Sequence, residues 1–292
     1  MVVLNKYGFY ELEQKPSEED LKKYYEEKYY QDGSIATYRH EYAKEEKQYF
    51  SNKIAQKYQL LLDRNILIKD TSYRLLDVGC GEGFTLNFFY EKGWDVVGLD
   101  YSKDGCQRFH PQCLDSFIEG DIYQELQRLI ESQQAYDVIW LDNVLEHVLD
   151  PLYLLQQLQS IVSAQGVLII EVPNDFSVVQ EYLYNKGVLK EQNWIVVPDH
   201  LSYFNRKGLV NLCKAAGWKC EEIIGDFPID WFLFNEHSNY YQNKGTGKAA
   251  HQARIELENI LHKASPQKTL QLYKALADLG MGRQLIGFFR KG

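Results

Sequence analysis

The sequence predicts an α/β fold, a seven-stranded and mostly parallel sheet with helices on both faces. Three observations carry that expectation. From Tyr73 onward short apolar runs alternate with segments of helical spacing. The helical segments are long enough to cross between parallel strands. A glycine-rich turn joins the first apolar run to the first helix of the series.

Taken in order, RLLDVG (74–79) is the first strand, and FTLNFFYEK (84–92) is a helix stopped by Gly93 in the C′ position. WDVVGLD (94–100) is the second strand, SFIEGD (116–121) a weaker third and YDVIWLD (136–142) a strong fourth. A helix around Pro151–Val162 carries leucines at helical spacing, and GVLIIEVP (166–173) is the fifth strand. A helix over Lys207–Ala216 ends at Gly217; WKCEEIIG (218–225) and RQLIGFFRK (283–291) are the sixth and seventh strands. Residues 67–225 with 283–292 are thus expected to form one ligand-binding core.

Residues 1–66 read as a helical cap. Ser17 and Asp20 resemble a capping box, followed by Leu21, Tyr24, Tyr25, Lys28 and Tyr29 on neighbouring turns. After a break at Asp32-Gly33-Ser34, a second helix is expected from Tyr42 to Leu62, burying Tyr49, Phe50, Ile54 and Leu61. Residues 174–200 and 226–282 interrupt the alternation. The second of these is aromatic at first (Trp231, Phe232, Phe234, Tyr240, Tyr241) and then helical (249–262, 266–278). Insertions at the carboxyl ends of parallel strands usually build lids or substrate walls, and an aromatic one leaves a homodimer contact equally open.

Composition narrows the function. The 292 residues are 45% hydrophobic and 25% charged, a globular balance that excludes wholesale disorder. A net charge of −9 disfavours nucleic acid and anionic membrane as the main partner. The opening MVVLNKYGFYELEQ soon turns charged, unlike a secretory signal, and no apolar stretch approaches a membrane span. Five scattered cysteines (80, 106, 113, 213, 220) with no C-x-x-C pair argue against a disulfide framework or a zinc ribbon and for a reducing cytoplasm. Aromatic residues reach 14%, including 22 tyrosines whose flat apolar faces and polar tips suit flat or hydroxylated ligands.

The most informative segment is LLDVGCGEG (75–83), with Asp77-x-Gly79-x-Gly81-x-Gly83 between strand and helix. Such a turn brings a ligand close to the backbone and points amide N–H groups at it. A pyrophosphate turn would place phosphate at the helix N-terminus. Here the third glycine comes one residue early, and the Asp77 carboxylate at the strand end would repel pyrophosphate while favouring an ammonium. The ligand expected has a zwitterionic amino-acid tail.

This pattern resembles motif I of the class I S-adenosylmethionine-dependent methyltransferases, whose sheet is Rossmann-like, and the resemblance continues in register. It implies that Asp100, 23 residues after Asp77, takes the ribose hydroxyls and that Tyr101 lies against the adenine. It implies that Asp121 accepts from the adenine amino group, with Ile122 packing alongside. Gly79, Cys80 and Gly81 line the cofactor turn. LDNVLEHVLDP (141–151) resembles the post-strand motif of the methyltransferase domain 23 group, placing Asp142 and Asn143 at the cofactor. That group includes ubiquinone-pathway O-methyltransferases and sugar and antibiotic tailoring enzymes. GVLIIEVPN resembles its G-G-x-l strand, although Gln165 replaces the first glycine, and PDHLSYFNRKGLVNLCKAAGW (198–218) resembles its late segment. Some relatives carry a zinc-binding cysteine cluster ahead of a segment like 7–30, but no cysteine precedes Cys80 here, so no metal is expected.

A sulfonium is an activated methyl donor, which leaves the protein to align the reacting atoms and remove a proton from a hydroxyl acceptor. His147 after the fourth strand is the first candidate base, or else a residue that orders its turn; Glu146 could orient it. His200, beside Asp199 and followed by Tyr203 and Phe204, is the second candidate. Arg39 among tyrosines, Tyr203, Trp231 and His237 are candidate substrate contacts. The acceptor suggested is a small hydroxylated molecule: a sugar or nucleotide-linked precursor of a surface polysaccharide, a natural product, a capsular phosphoramidate or a ubiquinone-like phenol. A nicotinamide-dependent oxidoreductase and a silent cofactor-binding subunit are the competing classes.

Overall fold

The computed structural model describes residues 1–17, 19–21, 23–24 and 41–292. Seven strands form the main sheet in the order β5-β4-β3-β6-β7-β10-β9. They are β3 (Arg74–Val78), β4 (Asp95–Asp100), β5 (Phe117–Glu119), β6 (Tyr136–Asp142), β7 (Val162–Pro173), β9 (Trp218–Gly225) and β10 (Gln284–Lys291). The five from β5 to β7 run parallel, while β10 is antiparallel to both β7 and β9 and fills the gap between them. The expected seven-stranded α/β sheet is present.

Consecutive residues of one strand enter opposite halves of the core. Val138 and Trp140 of β6 pack on one face with Leu75, Val96, Ile169 and Phe288. Ile139 and Leu141 pack on the other with Leu76, Leu99, Leu168 and Phe289. Strands covered on both sides need this unbroken apolarity. The covering helices include α1 (Lys44–Asp63), α2 (Phe84–Tyr90), α3 (Asp104–Phe109), α4 (Ile122–Glu131) and α5 (Pro151–Ile161). They continue with α6 (Val178–Asn185), α7 (Arg206–Ala215), α8 (Gly247–Ala264) and α9 (Pro266–Asp278).

The first residues depart from the expected helical cap. Val2–Leu4 (β1) and Tyr10–Leu12 (β2) form an antiparallel hairpin, and β2 pairs with β8 (Ser202–Tyr203) to make a second, three-stranded sheet. Asn5 turns the hairpin, its side-chain oxygen accepting from the Tyr7 and Gly8 amides at 2.9 and 3.1 Å. The expected capping contacts are present: the Ser17 hydroxyl accepts from the Asp20 amide at 3.1 Å and donates to its carboxylate at 2.6 Å. Tyr25, Lys28, Tyr29 and the break at 32–34 lie outside the described residues, as does Arg39.

The 226–282 insertion has two parts. Leu233, Tyr240 and Tyr241 join Val179, Leu183, Leu189 and Trp194 in a small satellite core. Helices α8 and α9 instead lie against α1, and α9 also packs on β9. Arg254 of α8 donates to Asp226 at 2.7 Å, Glu258 at 2.8 Å and the Tyr49 hydroxyl at 2.8 Å, and Tyr273 of α9 donates to Glu258 at 2.8 Å. Buried charges paired in this way tie the helical part to α1.

Candidate active site

The carboxyl ends of β3, β4 and β6 bring three carboxylates together. Asp77 is 3% exposed, and among the described residues none donates a hydrogen bond to its carboxylate. Burial pushes its carboxyl well up, Asp142 and Asp100 push in the same direction, and Lys57 opposes them. The turn beyond it is tight. The Gly79 amide donates to Leu99 at 2.7 Å, with Gly79 at φ +73°. A Cβ on Gly79 would stand 2.3 Å from Cγ2 of Val144, so only glycine fits. Cys80 is buried, its thiol pushed up by burial and then by Asp77 and Asp100; it packs toward Gly98 and is not poised to react.

Asp100 ends β4 with Oδ2 accepting from the Gly81 amide at 2.8 Å and Oδ1 from the Ser102 amide at 3.3 Å. Burial raises its carboxyl, and these amides hold it back. The Tyr101 hydroxyl donates to Asp121 Oδ2 at 2.5 Å, and Asp121 Oδ1 caps α4 through the Gln124 amide at 3.0 Å. Ile122 lies buried beside it. Asp77, Gly79, Gly81, Asp100, Tyr101, Asp121 and Ile122 therefore share one end of the sheet. A strand-end carboxylate with no donor, close to two further acids, suits a ligand that carries an ammonium and a sulfonium and repels a diphosphate. The residues present fit S-adenosylmethionine.

At the tip of β6 a cation comes in from α1. Lys57 donates to Asp142 at 2.5 Å and pairs with Glu171 at 2.6 Å, and its ammonium lies 4.8 Å from the Trp140 ring centre. Lys53, one turn earlier, donates to Glu171 at 3.0 Å. Burial opposes ionisation of Glu171, but Lys53 and Lys57 hold it down to about 2. Asp142 Oδ1 is buried and accepts no hydrogen bond of normal geometry from the described residues, and its neighbour Asn143 takes a left-handed φ of +53°. Sequence reading missed Lys53, Lys57 and Glu171. The signal was there: two lysines four apart on the face of α1 that buries Tyr49 and Leu60, and one acid inside the apolar run of β7.

The histidines meet beyond the end of β6. Nδ1 of His147 lies 2.6 Å from the Asp199 carbonyl, and the His147 and His200 rings stand edge to face at 4.8 Å. A carbonyl only accepts, so Nδ1 carries the proton and Nε2 of the neutral ring holds the lone pair. Glu146 Oε1 is 3.8 Å from that Nε2. The Glu146 side chain is 1% exposed, and burial pushes its carboxyl well up, with Asp175, Glu171 and Asp199 adding to the rise. Glu146, His147 and His200 each offer one donor atom within 4.8 Å of the others, a geometry that could hold a metal ion. Tyr203 is buried, and its hydroxyl donates to the His200 carbonyl at 2.9 Å, so its described contact is to the histidine loop. Asp175 lies nearby, facing Arg283 at 3.3 Å. Burial, with help from Asp230 and against Arg283, pushes its carboxyl up to about 6. Trp231 is 47% exposed and His237 lies in solvent beside Glu236; no described contact joins either to the histidine pair.

The profile of the family described as "Methyltransferase domain" matches residues 41–223, more than half of the chain. The ubiquinone biosynthesis O-methyltransferase of Salmonella paratyphi A is 31% identical over 180 residues, which cover 58% of this chain and 69% of that protein. The protein of the same name from Aliivibrio fischeri is 30% identical over 158 residues, 52% of this chain and 66% of its own. The chain thus spans about two thirds of the length of the curated relatives it matches. The solved structure of the plantazolicin methyltransferase BamL, in complex with a triazolic desmethylPZN analog and SAH, superposes with a TM-score of 0.50 at 13% identity. That match covers 94% of this chain and 91% of the other, a likeness of fold.

Proposed function

The chain belongs to the methyltransferase-domain family of S-adenosylmethionine-dependent enzymes, and from that premise we propose that it methylates a hydroxyl oxygen of a small acceptor, with His147 as the base. One observation carries the reading. The 2.6 Å contact of Nδ1 with the Asp199 carbonyl fixes the His147 tautomer, which puts the lone pair of the neutral ring on Nε2. S-adenosylmethionine supplies an activated methyl group when bound. Asp77, Gly79, Gly81 and Asp100 would hold it with Tyr101, Asp121, Ile122, Asp142 and Asn143; Cys80 backs the turn by packing.

The protein's own part is positional. Asp77 and Asp100 favour the positive ligand, while Lys57 opposes the burial that raises the Asp142 carboxyl and holds it in place. His147 accepts the acceptor's hydroxyl proton at Nε2 as the oxygen becomes nucleophilic, and the Asp199 carboxylate, 3.7 Å from Nδ1, favours the imidazolium that forms. His200 sets the edge of the ring's pocket. The aromatic stretch 226–246 serves as acceptor wall, because tyrosine and tryptophan faces cover sugar C–H surfaces and flat rings alike. A sugar or nucleotide-linked hydroxyl is the first acceptor class. A ubiquinone-like phenol is the second, favoured by the names of the two relatives.

The test is transfer of a labelled methyl group from S-adenosylmethionine to a panel of nucleotide sugars, free sugars and catechols. Label recovered as a methyl ether supports the reading. Label on nitrogen, or on none of these acceptors while S-adenosylhomocysteine still binds, overturns it.

A further inference from the structure

We propose that the amino-terminal hairpin is a positioning element for His147 and His200, acting through Phe9 and Tyr10. The backbone path is short. Leu201 is held from two sides: its amide donates to the Glu146 carbonyl at 2.8 Å, and its own carbonyl accepts from the Leu12 amide at 3.0 Å. The Ser202 amide donates to the same Glu146 carbonyl at 3.1 Å, while Tyr10 and Glu11 pair with Tyr203 and Ser202. Asp199 and His200 immediately precede this brace, so the carbonyl that fixes the His147 tautomer hangs from a segment pinned by β2.

Side chains lock the hairpin down. A Cβ on Gly208 would stand 2.5 Å from the Phe9 Cβ and 2.8 Å from its amide nitrogen, so the first turn of α7 accepts the hairpin only without a side chain there. Asn205 and Asn211 donate to the Gly8 and Tyr7 carbonyls at 2.9 Å each, and the Phe9 ring meets Phe204 at 4.5 Å. Tyr10 stacks on Phe176 at 4.0 Å. Phe176 has a φ of +54°, a left-handed backbone that a ring-bearing residue keeps only when neighbours hold it, and it directly follows Asp175. The hairpin therefore braces the 199–203 segment that contacts His147 and, through Tyr10, Phe176; among the described residues, no polar or ring contact joins it to the glycine turn or to the β4 and β5 tips. Its effect should separate cleanly from cofactor binding.

The inference rests on the proposed base only for its catalytic consequence; its test reads the imidazole itself. The full chain is labelled with ¹⁵N-histidine, and the His147 signals are identified by their loss in His147→Gln. In the wild type His147 shows a protonated Nδ1 and an unprotonated Nε2. Tyr10→Ala and Gly208→Ala should lose that single tautomer and its protected Nδ1 proton, whereas Tyr10→Phe, which keeps the ring, should retain both. S-adenosylhomocysteine affinity should stay within about threefold in every variant. An unchanged His147 signal in Tyr10→Ala overturns the inference even if Gly208→Ala fails to fold. Loss of affinity by about tenfold or more in Tyr10→Ala also overturns it, because the hairpin would then support the whole core. A wild-type tautomer with no methyl ether formed would remove the catalytic reading and leave the hairpin's role intact.

Discussion

Lys57 and Asp142 meet at 2.5 Å, the ammonium of a helix residue set against the carboxylate that ends β6. The lysine side chain is 3% exposed and also holds Glu171, so α1 is bound to the tips of two adjacent strands by one buried cation. Lys57→Met should lower unfolding free energy by about 3 kcal/mol in urea titrations, since it takes the cation from Asp142 and leaves Glu171 with Lys53 alone. Adding Asp142→Asn should return part of that loss. Strict additivity of the two changes would show that the pair is not coupled.

Two buried carboxyls should act on stability in opposite directions with pH. Asp175 sits at about 6, above its ordinary 3.8, so its contribution is full below about 4 and is lost as pH rises through 6. Asp175→Asn should therefore gain on the wild type between pH 4 and 7, by about 3 kcal/mol at most. Glu171 sits at about 2, below its ordinary 4.5, so its contribution is present above 4.5 and is lost as pH falls toward 2. Glu171→Gln should cost most at neutral pH and least in acid. Chemical denaturation across pH 3–8 reads both slopes, and parallel curves would refute the assignments.

Asp77 is unfavourable for the fold and favourable for the ligand. Asp77→Asn removes a buried carboxyl that burial and its neighbours push well up, so the free protein should melt at a higher temperature. The same change should weaken S-adenosylmethionine binding by about tenfold or more in a tryptophan-fluorescence titration. Unaltered affinity would place the ligand's positive end elsewhere.

Gly79→Ala should be among the most damaging small changes in the chain. The added methyl meets Val144 Cγ2 at 2.3 Å, and the backbone is left-handed at that point. A loss of about 3 kcal/mol is expected from overpacking and φ together. Val144→Ala in the same chain should restore the steric part alone. Full recovery in the double variant would show that the left-handed backbone at Gly79 costs nothing.

His147→Ala should leave S-adenosylhomocysteine affinity near that of the wild type and lower turnover by about 10²–10⁴-fold on whichever acceptor is methylated. Retained turnover would take His147 out of the proton step.

The sheet was legible because each of its strands is a short apolar run with a turn signal after it. Asp77 could be placed from the glycine turn that follows it, whereas Asp100 and Asp121 were picked out only through the family resemblance. The hairpin was not. Val2–Leu4 and Tyr10–Leu12 are three residues each, too short to show a period, and the partner at Ser202–Tyr203 lies about 190 residues away. Separations of 118 and 85 residues likewise hid the links from Lys53 to Glu171 and from Lys57 to Asp142. Periodicity marks which face of a helix is buried, but a lysine on that face announces only that an acid must be near, not which one. Asp175 was hidden for a different reason: nothing local in VPNDF distinguishes a carboxyl that will face a buried guanidinium.

Because β10 lies between β7 and β9 and not at a margin, its loss would do more than trim the protein. A stop codon ahead of Gln284 would leave β7 paired only with β6 and β9 with no described strand beside it, each with an apolar ladder open to other molecules. A chain cut there should therefore collect in inclusion bodies in place of a shortened enzyme.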